Sequence, residues 1–212
     1  MEEVTLFWDN PVDITRLREL LDGGEACIGS SDTVMGLMAP LGLKGHIKLD
    51  FLKNRSKKPY IVLAGSIEQV GCLATLPKAL YLQKLLDAYW PGPLTVILKG
   101  RQESEEYTQA ENRTVAVRVP NHPGLLALLQ GVKGVFSTSA NKAGGPIPNR
   151  IEDVDSSIRQ SVGCIITERE GKESITPSTI IDCSQEELIL VREGAISFAE
   201  LTAFVEKYKK NV

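Results

Sequence analysis

The sequence predicts an α/β fold built on a single twisted, mixed sheet with helices on its faces. Short apolar stretches typical of strands alternate with longer stretches whose apolar residues recur every three or four positions, as in helices. Two polar, charged stretches at 100–114 and 168–178 separate these elements and indicate surface loops. A length of 212 residues fits one domain, which we take as 1–212.

The first half begins with a helix at 13–24, for which we expect Asp13 as the N-cap and Gly23–Gly24 as the stop. A strand at "ACIG", a polar turn at "SSDTVMGL", a helix at "HIKLDFLKNR" and a strand at "PYIVLAG" follow in that order.

The second half begins with the amphipathic helix "PKALYLQKLLDAYW", which Pro91 stops. The pattern then predicts strands at "LTVILK" and "TVAVRVP", a helix at "HPGLLALLQGV", a strand at "GVFSTSA" and a helix at "IEDVDSSIRQSV". Strands at "GCIITE", "STIIDC" and "ELILVREGAI" complete the sheet. A closing helix begins after Ser197, with Glu200 completing a capping box.

Composition excludes several classes of protein. The chain has 24 lysine and arginine residues against 27 acidic ones, so no overall basic field is present to hold nucleic acid. Four cysteines without a C-x-x-C pair indicate buried, reduced thiols in a cytoplasmic protein. The acidic N-terminus lacks the apolar region of a signal peptide, and no apolar run approaches the ~18 residues of a membrane helix.

The usual catalytic motifs are missing. Only two histidines occur, and His122, in "PNHPG", fits a surface or capping role. Neither a P-loop nor a dinucleotide fingerprint is present. We therefore expect no protein metal site and a chemistry that relies on positioning and electrostatics.

Four polar stretches follow apolar ones. In open α/β sheets, ligands bind at the ends of the strands, so these stretches are candidate binding residues. The first places Ser31, Asp32 and Thr33 before a glycine, in an arrangement that also suits a turn or a helix cap. The second, "LKNRSKKP", offers Lys53 and Arg55 to an anion, although a solvated helix end would have the same composition.

The third and fourth stretches carry one charge and several short donors. Arg118 interrupts an apolar strand and either lies on the solvent face or holds an anion. In "STSANKAGGP", Ser139 and Asn141 are short donors and acceptors, and Gly144–Gly145 would allow close approach of backbone to a ligand.

Taken in order, seven segments resemble the YrdC/Sua5 threonylcarbamoyl-AMP synthases, of the short YrdC type. These segments are "SSDTVMGL", "LKNRSKKPYIVL", "WPGPLTVILK", "VAVRVPNHP", "STSANKAGGP", "PSTIID" and "LVREGAI", and they span about 12–200. The resemblance implies a concave, basic cavity on a YrdC-like sheet. It also implies synthesis of threonylcarbamoyl-AMP and pyrophosphate from L-threonine, bicarbonate and ATP, with Mg²⁺ accompanying ATP. A downstream tRNA threonylcarbamoyltransferase would then pass the group to adenosine 37 of ANN-decoding tRNAs.

The resemblance also assigns roles to residues. The triphosphate would meet Lys53 and Arg55, which are the expected catalytic residues. L-Threonine would meet Thr33, Arg118 and Ser178, and ATP would further contact Thr114, Ser139, Asn141, Asn149 and Arg192. The sequence differs from the family pattern at Gly29–Ser31, Met35, Ser56 and Ala143, so we expect a different pocket rim.

Two alternatives remain at this point. A catalytically weak relative would hold tRNA or double-stranded RNA in the basic cavity, and its binding would then depend steeply on salt. A domain related to carbamoyltransferases would normally lie within a longer chain.

Overall fold

The computed structural model describes residues 4–54, 59–101, 113–169 and 176–209. Its strands are β1 (Thr5–Phe7), β2 (Cys27–Gly29), β3 (Gly36–Pro40), β4 (Ile61–Leu63), β5 (Leu94–Lys99), β6 (Thr114–Arg118), β7 (Val135–Ser139), β8 (Cys164–Thr167), β9 (Thr179–Asp182) and β10 (Ile189–Arg192). Its α-helices are α1 (Pro11–Asp22), α2 (Leu43–Lys53), α3 (Ile67–Leu73), α4 (Leu80–Tyr89), α5 (Pro123–Leu129), α6 (Ser156–Arg159) and α7 (Phe198–Lys209).

The ten strands form one mixed sheet, as the sequence predicts. Their order is β1-β8-β2-β3-β7-β4-β6-β5-β9-β10. Four neighbouring pairs are parallel and five are antiparallel. The centre of the sheet, β3-β7-β4-β6, thus brings together four segments that are far apart in the sequence.

The two faces of the sheet carry separate hydrophobic clusters, because successive side chains of a strand point to opposite faces. Helices α2, α4, α6 and α7 pack with strand residues such as Val62 and Val117 in the larger cluster. Helices α1 and α5 pack with strand residues such as Met38 and Leu63 in the smaller one. A concave cavity lies on the second face, beside α5.

Several local predictions need correction. Asn10 caps α1, because Pro11 fixes the first helical position and the Asn10 side chain accepts from the Val12 N–H; Asp13 instead accepts from the Phe7 N–H. The predicted helix at 151–162 is a 3₁₀ turn at Ile151–Asp153 followed by the single turn of α6. Strands β1 and β3 and helix α3 had no counterpart in the prediction.

Other local predictions are confirmed. Ser197 caps α7 through the Glu200 N–H, and His122 caps α5 through the Leu125 N–H. Three cysteines are buried, whereas Cys72 is exposed, contrary to expectation. Among the described residues, no helix combines the length and the apolar character needed to cross a membrane. Most of the two predicted surface loops lies outside the described residues.

Candidate active site

A cavity of about 220 Å³ is formed where the loop after β2 folds over the central strands. Its walls come from residues 29–31 and 33–34, from β3, β4, β6, β7 and β9, and from Arg192 of β10. The lining residues that carry the argument are Thr33, Arg118, Ser137, Ser139, Ser178 and Arg192.

The alternation of side chains along the strands shapes this cavity. Gly36 and Met38 of β3 pair with Ser139 and Ser137 of β7, and all four residues point to the cavity face. A methyl group on Gly36 would stand 3.0 Å from the Thr138 carbonyl oxygen. The small residues of "STSAN" therefore leave space beside β3 that larger side chains would fill.

Arg118 is buried on the floor of the cavity and forms an ion pair with the partly buried Asp32. Its Nη2 donates to Asp32 Oδ1 at 2.6 Å, and its Nη1 donates to Thr33 Oγ1 at 2.7 Å. The other oxygen of Asp32 accepts from the Asn121 N–H at 2.9 Å. The sequence allowed Arg118 either to face solvent or to hold an anion. The structure shows the second arrangement, and the anion is the carboxylate of Asp32.

The guanidinium of Arg118 keeps unused hydrogen-bonding capacity. Its Nε is buried and has no hydrogen-bond partner among the described residues. Burial lowers the pKa of Arg118; the carboxylate of Asp32 raises it and the charge of Arg192 lowers it. A buried donor on a positive group is costly unless it meets an acceptor, so this nitrogen suits a ligand carboxylate or phosphate.

Arg192 also lines the cavity and is held by Ser178, the residue before β9. Its Nε and Nη2 donate to the Ser178 carbonyl oxygen at 3.2 and 2.7 Å, and Nη2 lies 3.2 Å from Ser178 Oγ. Ser178 Oγ in turn shares a hydrogen bond of 2.8 Å with Thr95. Burial lowers the pKa of Arg192.

Lys53 connects the end of α2 to the end of β7. Its side chain is only 2% exposed, and its Nζ donates to the Ser139 carbonyl oxygen at 2.7 Å and to Asn141 Oδ1 at 2.8 Å. The Ala143 N–H donates back to the Lys53 carbonyl oxygen at 3.1 Å. Ser139 Oγ also donates to Asn141 Oδ1 at 2.6 Å, so the segment that follows β7 is fixed by Lys53.

Five of the sequence-predicted site residues line one cavity: Thr33, Arg118, Ser139, Ser178 and Arg192. Lys53 and Asn141 stand directly behind Ser139. Asn149 is exposed, two residues beyond Ile147 of the cavity wall, and Thr114 lies at the other end of β6 from Arg118. Arg55 lies outside the described residues.

Other residues of the site were not predicted. Tyr60 lines the cavity and donates from its hydroxyl to Asp50 Oδ1 at 2.7 Å, which ties β4 to α2. Trp8 donates from Nε1 to Ser30 Oγ at 3.1 Å and supports the loop after β2. The alternation in "STSAN" was the one available signal, because it places Ser137 on the same face as Ser139.

The charge of the cavity is mixed among the residues that the structure describes. Arg118 and Arg192 line it, while Asp32 offsets the first of them. A concave cavity is therefore present, and its basic character remains a prediction.

The fold and the cavity together define a mixed α/β domain with a concave cavity that two guanidinium groups line. The family model Sua5/YciO/YrdC, described as "Telomere recombination", matches residues 19–194. The chain belongs to this family.

Three relatives illustrate the likeness. The threonylcarbamoyl-AMP synthase of Bacillus subtilis is 30% identical over 92% of this chain and 57% of its own length. That of Nitrosococcus oceani is 33% identical over 77% of this chain and 89% of its own length. The crystal structure of Pyrococcus abyssi Sua5 complexed with L-threonine matches with a TM-score of 0.83 and 26% identity, over 96% of this chain and 61% of that one. The chain thus spans most of the Nitrosococcus protein and about three-fifths of the other two.

Proposed function

We propose that this protein is a threonylcarbamoyl-AMP synthase, which forms the adenylate and pyrophosphate from L-threonine, bicarbonate and ATP. The observation that carries the proposal is the convergence of Arg118 and Arg192 on one cavity, with Arg118 Nε left unpaired. The names of the relatives and the threonine complex of one of them support it.

In the proposed reaction the attacking group comes from the substrates. The amine of L-threonine adds to bicarbonate with loss of water and gives an N-carboxylate. An oxygen of this carboxylate attacks the α-phosphorus of ATP, the bond to the bridging oxygen breaks, and pyrophosphate leaves. The protein then needs to hold two anions close together and to stabilise the charge that develops between them.

The threonine side is assigned to Thr33, Arg118 and Ser178. Arg118 retains its Nε–H and part of its Nη donors, which form a fork of the geometry that a carboxylate accepts. Asp32 and Thr33 hold this fork in place, so little side-chain entropy is lost when a ligand binds.

The nucleotide side is assigned to Lys53, Arg55, Thr114, Ser139, Asn141, Asn149 and Arg192. A cavity of about 220 Å³ is smaller than the ~300–1,000 Å³ of drug-sized pockets, so we place the amino acid and reacting phosphate inside it and the nucleoside at its open side. Arg192 lines the cavity and is exposed to solvent, which suits a contact with the nucleotide. Because Lys53 is buried, its proposed contribution is to fix Ser139 and Asn141 as well as to supply positive charge.

We propose that Mg²⁺ enters as the counter-ion of ATP and is held by the phosphates. Asp32 is the carboxylate beside Arg118, and both of its oxygens accept hydrogen bonds from the protein. The described residues contain no cluster of three or more metal-ligating side chains. We further propose that the product passes to a tRNA threonylcarbamoyltransferase in the cytoplasm.

The test is to incubate the protein with L-threonine, bicarbonate, ATP and Mg²⁺ and to measure the adenylate by mass spectrometry, omitting each substrate in turn. Arg192→Gln should lower the rate at least ~10-fold, the effect of losing one charge-assisted hydrogen bond. Arg169→Gln is the matched control, because Arg169 is an exposed arginine paired with Asp9. Absence of the adenylate with correctly folded protein would refute the proposal and leave the RNA-binding alternative.

A further inference from the structure

Helix α2 has a buried face and an apolar exposed face. His46, Leu49, Leu52 and Lys53 are buried against the sheet. On the outer face, Leu43, Ile47 and Phe51 are 67%, 59% and 71% exposed. Their spacing of four residues places them in one row along the helix, and a row of large apolar side chains in water marks an interaction surface.

A groove of about 720 Å³ runs beside this row. One wall is formed by Ile47, Phe51 and the neighbouring residues Asp50, Leu52 and Asn54 of α2. The other wall is formed by Lys142, Ser157 and Ser161. A ridge and a groove therefore lie side by side along the same helix.

Two of the lysines near the ridge and the groove are paired within the chain. Lys48 Nζ lies 2.8 Å from Glu25, and Lys142 Nζ lies 3.2 Å from Asp155. Lys44 is exposed on α2 and the Asp50 carboxylate is partly exposed, so the described part of this surface offers one charge of each sign and can complement a second copy of itself.

We propose that the outer face of α2 binds a second copy of this chain. Two copies related by a two-fold axis at Ile47 place the ridge of each helix in the groove of the other. Leu43 then meets Phe51 of the second copy, and Lys44 comes to the level of its Asp50 carboxylate, which remains partly exposed. Rows of spacing four pack at an angle of about 50°, and the contact fits within the 11 residues of α2.

The area available predicts a weak dimer. Three side chains of this size and exposure hold roughly 400 Å² of surface per copy, and the groove walls add to it. A total of about 1,000–1,200 Å² lies at the lower limit for specific interfaces, so we expect a dissociation constant on the order of 10–100 µM. This proposal does not depend on the catalytic function.

Sedimentation equilibrium tests the proposal. The mass should rise from that of the 23.2 kDa chain towards twice that value between about 5 and 500 µM protein. Ile47→Asp, which sets two carboxylates face to face at the axis, and Phe51→Ser should each weaken association at least ~10-fold. Val12→Asp is the matched control, since Val12 is 72% exposed on α1, and it should leave association unchanged.

Two results would contradict the proposed dimer. A wild-type protein that stays monomeric over this range overturns the proposal. So does a dimer that Ile47→Asp leaves intact, because it would form through another face. Both substituted positions are exposed, so circular dichroism should confirm that the variants fold.

Discussion

The ion pair on the cavity floor makes a strong prediction for Asp32→Asn. Arg118 is buried and Asp32 is largely buried, with 12% of its side chain exposed, and the two side chains meet at 2.6 Å. Asparagine keeps the size of the side chain and one acceptor oxygen but removes the negative charge. Breaking a buried pair from one side costs about 3–5 kcal/mol, and the retained oxygen reduces this to roughly 2–4 kcal/mol.

The assay is urea unfolding, together with the thermal midpoint. For a chain of this length, each kcal/mol shifts the midpoint by about 2–4 °C, so Asp32→Asn should lower it by roughly 5–15 °C. Asp9→Asn is the matched control, because Asp9 pairs with Arg169 at 3.1 Å while both side chains are more than half exposed. Exposed pairs contribute only about 0–1 kcal/mol.

L-Threonine provides a second measurement on the same variant. If its carboxylate binds Arg118, it supplies the negative charge that Asp32→Asn removes. Saturating L-threonine should therefore raise the midpoint of the variant more than that of the wild type. A variant as stable as Asp9→Asn, or an equal threonine response in both proteins, would refute this account of the cavity floor.

Three further predictions concern the supports of the site. His122 accepts a hydrogen bond from the Leu125 N–H at 3.1 Å, and burial lowers the pKa of His122 more than the nearby carboxylates raise it. The contribution of His122 to stability is therefore present above pH ~6.5 and is lost as the pH falls towards the lowered pKa. The urea unfolding free energy of His122→Asn should accordingly depend less on pH between pH ~7.5 and ~5.5 than that of the wild type. A methyl group on Gly194 would overlap the Pro177 carbonyl oxygen, so Gly194→Ala should shift Ser178 and lower adenylate formation at least ~10-fold. Gly71→Ala, whose methyl group has its nearest contact at 3.6 Å, should leave adenylate formation unchanged. Lys53→Met removes the hydrogen bonds to Ser139 and Asn141 and should lower the unfolding free energy by about 2–4 kcal/mol; an unchanged value would show that this linkage is not structural.

Apolar patterning predicted the longer elements because burial alone defines them. Strand β5 and helix α4 are examples, with continuous or periodic apolar residues. Apolar patterning did not predict strands that are short or that contain residues typical of turns. Strand β1 has three residues, and β3 begins at Gly36 and ends at Pro40, both of which indicate a turn when read from sequence.

The site was predicted largely through the order of its segments. That order pointed to Thr33, Arg118 and Ser178, which line one cavity although they come from three separate segments. It did not give the partners of these residues. The ion pair of Arg118 with Asp32 joins positions 86 residues apart, and the burial of Lys53 depends on how α2 packs beside β7, which local sequence does not encode.

The described hydrogen bonds show that the cavity is organised before a ligand arrives. Arg118 is held by Thr33 and Asp32, Arg192 by the Ser178 carbonyl oxygen, and Ser139 by Lys53 and Asn141. Arg118, Arg192 and Lys53 each donate some of their hydrogen bonds to the protein. Fewer donors are then available to a ligand, but the orientation of each charged group is fixed. A reaction whose nucleophile comes from the substrate benefits from this exchange, because fixed dipoles and charges need not reorganise as charge moves to the leaving group.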